Sequence, residues 1–435
     1  MLPKDAKPVS HLQATPSQVA MSWSTTQPIV ALIGNRGHSK WSRWSIIAPA
    51  DGERVTLGGK HALEELGRVL SKKSNDALLP NWIGYLGYEL GYTIEPTSGT
   101  VPESNWPLID LIWCDRALIH DSETDTWWSI GDCQPPEPPE PPELNEEGES
   151  APMQMDLREV TSEAAFTSAV QKTIDYIHAG DIFQANITRR YSTEVTGDIR
   201  TSALAMLREP GGWFGAWLEF PRDGRYVMSM SPELFLQFDS ETREIVTRPM
   251  KGTRPEEDDP EQLLHSEKDA AELHMIVDLM RNDLGRICEF GSIDVRHART
   301  IERHPTVWQC VGEVHGKVRK GVDISRILRN TFPAGSITGA PKIRAMQIIQ
   351  ELEATPRGPY CGAIGVIGKS LMLNVAIRTA LFEGNGSPHE FEGTMEYSTG
   401  CGIVAESDPQ AELLESEVKT HILQQPVLGG CVTRL

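Results

Sequence analysis

Thr247-Arg248-Pro249-Met250-Lys251-Gly252-Thr253-Arg254 is the stretch on which the reading of this chain turns. It joins a β-branched run, Glu244 to Thr247, that predicts a strand, to an acidic run that predicts a helix. Pro249 and Gly252 are turn residues, so Lys251 is expected in a turn between the two. A lone lysine is ordinarily a solvated surface charge. This one stands near Arg248, Arg254 and Lys268 in sequence, and neighbouring cations disfavour the ammonium form. A lysine that loses its proton near neutrality is a nucleophile.

Working outward, strands arrive in blocks with helices between some of them. Before the acidic run, strands are predicted at Tyr226 to Ser229 and Leu234 to Phe238. A helix capped by Thr161, with Phe166, Val170, Ile174 and Ile177 on one face, ends at Ala179-Gly180 and leads into a strand-like Asp181 to Tyr191. After it come helices at about 259–285, 323–330 and 341–353, strands at 361–367, 371–382 and 396–405, and a last helix at 408–422. Residues 1–133 are strand-rich: Pro28 to Ile33, Ser45 to Ala48 and Leu108 to His120. Trp82 to Tyr92 is an aromatic stretch whose glycines suggest close backbone approach. Such a pattern predicts an α+β fold with large antiparallel sheets, not a doubly wound parallel one.

Between the strand-rich region and the rest, 134–156 carries Pro-Pro-Glu three times and then an acidic tail. It reads as a linker or surface loop that cannot bury apolar surface. Three regions follow: 1–133, 134–156 and 157–428. Among 435 residues, 39% are hydrophobic, enough for a sizeable core, and the formal net charge is −20. That charge argues against nucleic acid and against an anionic membrane surface as partners. It leaves a small anionic substrate open, because a pocket has its own local field. No secretory leader, no apolar run of membrane-spanning length and no Cys-x-x-Cys pair is seen. Seven scattered cysteines fit a cytoplasmic protein with reduced thiols and no zinc site.

Four patterns carry chemistry. Asp269 and Glu272 lie three apart in one predicted helix, Glu412 and Glu415 in another, so each pair shares a helix face. Facing each other they would make a hard oxygen site for Mg²⁺; taken singly, such pairs are common on solvated faces. The apolar run after Glu272 and the apolar strand before Glu412 favour burial. Gly400-Cys401-Gly402 offers either a nest of amides for a carboxylate or a simple bulge. Gly335 to Lys342 precedes a helix, with Thr338 at its start; it suits an anion or is a plain capping turn. Arg378 is predicted in a strand, Asn374 to Thr379, among apolar residues. A buried arginine requires an anion, either a bound carboxylate or an internal partner.

Taken together and in order, Asp181-Ile-Phe-Gln-Ala-Asn186, Ser231-Pro-Glu233, Arg248 to Thr253, Met275 to Asp283, Gly335 to Arg344, Tyr360 to Gly365, Ala376 to Thr379 and Gly400 to Asp408 resemble the chorismate-utilising enzymes. This family includes anthranilate synthase component I and isochorismate and salicylate synthases. The resemblance spans about 160–425. Gly84-Tyr-Leu-Gly-Tyr-Glu-Leu-Gly91 resembles the companion N-terminal region of the aminating members. The family fold implied is two large antiparallel sheets in a sandwich with flanking helices.

Position 251 separates members of the family. Anthranilate synthases carry a small residue there, and aminodeoxychorismate synthases component I carry lysine. The water-adding members carry a lysine base where this chain has Gln184, which cannot act as a base. The resemblance implies Mg²⁺ held by Glu272 and Glu415, with water bridges to Asp269 and Glu412, and acting as Lewis acid on the ring carboxylate of chorismate. It implies Lys251 attacking C2 while the C4 hydroxyl leaves with a proton from Glu233. Ammonia then enters at C4 and expels the lysine, giving 4-amino-4-deoxychorismate, a route to 4-aminobenzoate and folate. Arg378, Tyr360, Thr338, Gly400 and Gly402 are the implied substrate contacts. Gln309 joins them, standing where the family usually has histidine; an amide cannot shuttle a proton.

No Gly-x-Cys-x-Gly elbow is present, so the implied source of ammonia is a separate glutamine amidotransferase subunit. Tryptophan is a candidate ligand of the N-terminal region, as in some relatives. Three alternatives accompany this expectation: an anthranilate synthase component I with an atypical lysine, an isochorismate or salicylate synthase, weakened by Gln184, and a chorismate-binding sensor without turnover.

Overall fold

Strands from the two ends of the sequence interleave in two sheets. The computed structural model describes residues 2–3, 5–34, 41–136, 157–208, 213–255, 258–304 and 307–423. The Pro/Glu segment expected at 134–156 lies outside them apart from 134–136. Among the described residues one sheet has twelve strands and the other ten, and every pairing is antiparallel.

The larger sheet is centred on Ile29–Gly34, Phe214–Phe220, Arg225–Ser231, Thr379–Asn385, Phe391–Ile403 and Gln184–Gly197, in that spatial order. The smaller runs from Met250–Pro255 through Val307–Lys317, Glu244–Arg248, Leu234–Phe238, Leu371–Val375 and Ala363–Ile367 to Asn81–Leu86 and Ile109–Cys114. Strands of 1–133 join strands of 157–428 in both sheets: Val30 pairs with Leu218, and Gly84 with Gly365. At Gly84 a β-carbon would stand 2.0 Å from the Asp110 carbonyl oxygen, which is why the aromatic stretch is interrupted by glycine.

Val30, Ile46, Ile83, Ile112, Ala216, Val227, Ile364 and Leu381 come from both sheets and form one buried cluster between them. Residues of opposite parity meet helices outside, as the two-residue side-chain period requires. The molecule is therefore an antiparallel sandwich with flanking helices.

Several predicted elements are corrected. Leu108 to His120 is two strands, Ile109–Cys114 and Ala117–Asp121, one in each sheet. The run 371–382 is likewise two, Leu371–Val375 in the smaller sheet and Thr379–Asn385 in the larger. An apolar run reads the same whether or not the chain changes layer within it. The helix expected after Thr161 is capped by Ser162, whose side chain accepts from Ala165 N–H at 3.3 Å, and it runs Glu163–His178. The six described cysteines are all buried and free. No described helix is long and apolar enough to cross a membrane.

Candidate active site

Lys251 is not in a turn. Met250–Pro255 is a strand paired with Val307–Lys317, with Lys251 opposite Cys310. The register slips between Lys251 and Thr253, and Gly252 there has φ +77°. A glycine bulge of this kind bends the strand and re-aims its side chains. Pro and Gly are signals of a bulged edge as much as of a turn, and the sequence alone did not separate them. A β-carbon on Gly252 would also stand 3.0 Å from Asp269 Cγ.

The Lys251 side chain is 15% exposed and lines a cavity of about 640 Å³, so it is no surface charge. Of the cations expected around it, Arg248 is turned elsewhere and Arg254 lines the same cavity. Arg248 pairs with Glu302 and with Glu313 at 3.2 Å, and lies over the rings of Trp41 and Trp213. Arg254 pairs with Asp269 at 3.3 Å, and the side chain of Lys268 lies outside the described set. The ion-pair partner of Lys251 is Glu272, with Nζ to Oε2 3.9 Å.

Glu233 and Arg378 sit where the chain changes sheets. Arg225–Ser231 belongs to the larger sheet and Leu234–Phe238 to the smaller, with Pro232 and Glu233 between them. Pro232 has no N–H for a ladder, and the Ser231 hydroxyl accepts from Glu233 N–H at 3.2 Å and donates to Val375 O at 2.6 Å. Leu371–Val375 and Thr379–Asn385 cross back beside them through residues 376–378. Arg378 is thus not in a strand: it has φ +51°, and its carbonyl accepts from Met230 N–H at 3.0 Å.

Glu233 is 4% exposed, and its Oε1 accepts from Ser336 Oγ at 2.6 Å. Burial pushes its carboxyl up to about 7; the Ser336 hydroxyl, the Lys251 charge and the Met250 N–H oppose this. At neutral pH it is a carboxyl that can hold or give a proton. The Arg378 guanidinium lines the same cavity and makes no hydrogen bond or ion pair with protein among the described residues. Burial lowers its pKa, countered by Tyr397, yet arginine stays charged. A desolvated cation without an internal anion is a receptor for one.

Gly400 and Gly402 are not a nest. Both lie in the extended strand Phe391–Ile403, Gly400 opposite Thr188 and Gly402 opposite Asn186. What the glycines give is close approach. A β-carbon on Gly400 would meet Asn186 Nδ2 at 2.7 Å and Tyr360 Oη at 3.0 Å; one on Gly402 would meet Gln184 Nε2 at 2.5 Å and Lys251 Nζ at 2.8 Å. Tyr360 and Gln309 line the cavity. Thr338 does not: it is fully buried and its hydroxyl donates to Ala334 O at 2.9 Å. Ser336, two residues earlier, reaches the cavity in its place. Sequence reading also passed over Asn186 and Lys419, although Asn186 stands inside a motif it quoted.

The four acidic residues do share the cavity. Asp269 and Glu272 are on the helix Glu267–Gly285, and Glu412 and Glu415 on Pro409–Val418. Glu415 pairs with Lys419 at 2.7 Å, and Glu412 accepts from Ser407 at 2.7 Å. Among the described residues the only group of three or more such side chains whose ligand atoms all lie within 4.8 Å of one another is Cys401, Glu412 and Glu415. The two helices therefore face each other across the cavity and do not close on one point. A carboxylate-rich wall of this kind suits a hard cation that keeps several waters.

Comparison with known proteins bears on which chemistry this is. The model of the family described as chorismate binding enzyme matches residues 38–425. Aminodeoxychorismate synthase component 1 of Escherichia coli is 33% identical over 357 residues, 79% of this chain and 76% of that protein. An anthranilate synthase component 1 of Haloarcula marismortui is 38% identical over 270 residues, 60% of this chain; the match spans about half, 51%, of that relative's own length. The solved anthranilate synthase component I of Streptococcus pneumoniae superposes with a TM-score of 0.74 at 26% identity, covering 90% of this chain and 94% of that one. The menaquinone-specific isochorismate synthase of Escherichia coli, at 15% identity and a TM-score of 0.72 over 96% of this chain and 92% of that one, shares the fold. With a sandwich whose sheet crossings deliver a buried acid and an unpaired arginine to one cavity, and with a family match over most of its length, the chain belongs to the chorismate binding enzyme family.

Proposed function

We propose that the chain is an aminodeoxychorismate synthase component I, which replaces the C4 hydroxyl of chorismate with an amino group. The observation that carries this reading is the Lys251 amine, aimed into the cavity by the Gly252 bulge and bordered by Glu233, Glu272 and Gly402. A small residue at 251 would leave the cavity with no nucleophile on that wall.

In this reading Arg378, with Tyr360 and Asn186 nearby, holds one carboxylate of chorismate. The Lys251 amine forms a bond to C2, the two conjugated ring double bonds move to C1=C6 and C4=C5, and the C4–O bond breaks. Glu233, protonated below about 7, gives its proton to the departing oxygen, so water leaves. The bonded lysine nitrogen stays cationic, facing the Glu272 carboxylate, until it leaves. Ammonia then bonds at C4 and the lysine leaves from C2. Splitting one hard displacement into two easier ones is the purpose of a covalent intermediate. Glu272, Glu415, Asp269 and Glu412 would hold Mg²⁺, which when bound supplies a Lewis acid for the other substrate carboxylate. Ammonia comes from a separate glutamine amidotransferase subunit, and the product serves 4-aminobenzoate and folate synthesis.

A second reading is anthranilate synthase component I, favoured by relatives of that name at similar identity. The product decides between them. Purified protein with chorismate, Mg²⁺ and ammonium is expected to form aminodeoxychorismate without pyruvate. Pyruvate released in step with a fluorescent aromatic amine would favour the second reading.

A further inference from the structure

Glu89 stands in the sequence Gly84–Gly91, whose residues the chemistry above does not use. It is 3% exposed and immediately precedes the short helix Leu90–Ile94. Its two carboxylate oxygens accept from the backbone N–H of Arg357 at 2.7 Å and of Gly358 at 2.9 Å. In return Tyr88 N–H donates to Gly358 O at 2.8 Å. This turn delivers Tyr360 to the cavity, and just beyond it Cys361 N–H bonds to Ala376 O at 2.9 Å, next to the crossing that carries Arg378.

The side chain of Arg357 ties down the other wall. It donates to Asn186 O at 2.6 Å and to Ile337 O at 2.9 Å, and pairs with Glu353 at 2.6 Å. Its guanidinium lies 4.4 Å from the centre of the Tyr88 ring. Asn186, Ile337 and Tyr360 all line the cavity. One carboxylate from the N-terminal region therefore anchors the segment that spaces three lining residues. Burial pushes the Glu89 carboxyl up to about 7, and its two hydrogen bonds from adjacent buried N–H groups hold the loop in one conformation.

We propose that Glu89 is a positioning residue for substrate, acting through Arg357 and the Tyr360 turn to set the carboxylate-binding corner. The inference rests on the chorismate reading of the site. The test compares Glu89→Gln, Tyr360→Phe and the double variant in steady-state turnover of chorismate. Glu89→Gln is expected to raise KM about tenfold with kcat within about threefold of wild type. In the Tyr360→Phe background the same change is expected to move KM less than about twofold, because both act on one contact. Glu89→Asp keeps the carboxyl with shorter reach; it is expected to fall between and carries the same readout should Glu89→Gln not fold. An unchanged KM in a folded Glu89 variant, or effects that simply multiply with Tyr360→Phe, would overturn the proposal. Failure of the functional reading would show separately, as wild-type protein that does not turn over chorismate.

Discussion

The Lys251 amine rests against the bare α-carbon of Gly402, where a β-carbon would stand 2.8 Å from Nζ. The contact fixes how far the lysine can withdraw and leaves its other side open to the cavity. Gly402→Ala would push both Lys251 and Gln184 aside. The expected result is a loss of turnover of at least about tenfold, since small misplacements of a reacting group are costly. The strand conformation suits alanine, so thermal midpoint should change little. Full activity in Gly402→Ala would show that the amine need not occupy this position.

Glu233 carries a signed pH dependence. Its carboxyl, ordinarily near 4.5, is raised to about 7 by burial. A general acid must hold its proton, so it is loaded below that value and empties as pH rises through it. Turnover should fall on the alkaline side of about 7 through this group. Glu233→Gln should lower kcat by about 10²-fold or more and flatten that limb, and pH–rate profiles of the two proteins check both. A limb that persists in Glu233→Gln would assign it to another group.

Arg378 should act chiefly on binding. Arg378→Gln removes a charged donor from a buried corner, which is worth about 1.5–3 kcal/mol, or about 10–100-fold in KM for chorismate. Because its guanidinium has no anionic partner among the described residues to leave behind, folding stability should hold or improve. Strong destabilisation with unaltered KM would identify an internal structural role.

The carboxylate wall predicts a metal dependence that can be measured without turnover. Glu272→Gln and Glu415→Gln should each weaken Mn²⁺ binding, followed by electron paramagnetic resonance, by about tenfold or more. Magnesium should compete with the Mn²⁺ signal. Equal Mn²⁺ affinity in wild type and both variants would remove these residues as ligands.

The sequence made the fold class and most of the cavity-lining residues it named legible because both rest on local pattern. Alternating runs and the ordered motifs carry that information within a few residues. What it concealed were relations between layers. Arg378 looked like a strand residue, since nothing in Asn374 to Thr379 signals a change of sheet. Thr338 looked like the anion contact of its loop, yet the unusual backbone there turns its hydroxyl onto Ala334 O and offers Ser336 to the cavity. Of the charges near Lys251 in sequence, Arg248 turns to Glu302 and Glu313 while Arg254 comes into the cavity, a difference set by the bulge at Gly252. Glu89 is hydrogen-bonded to Arg357 N–H across 268 residues of sequence separation, a link that no local pattern encodes.

The most direct test is the mass of the protein itself. Wild-type chain mixed with chorismate and Mg²⁺, without ammonium, and quenched in acid should gain the mass of chorismate less one water, and peptide mapping should place it on Lys251. The Lys251→Ala protein should gain nothing. Steady formation of the 4-amino product by Lys251→Ala, or a gain mapped to another residue, would contradict the account.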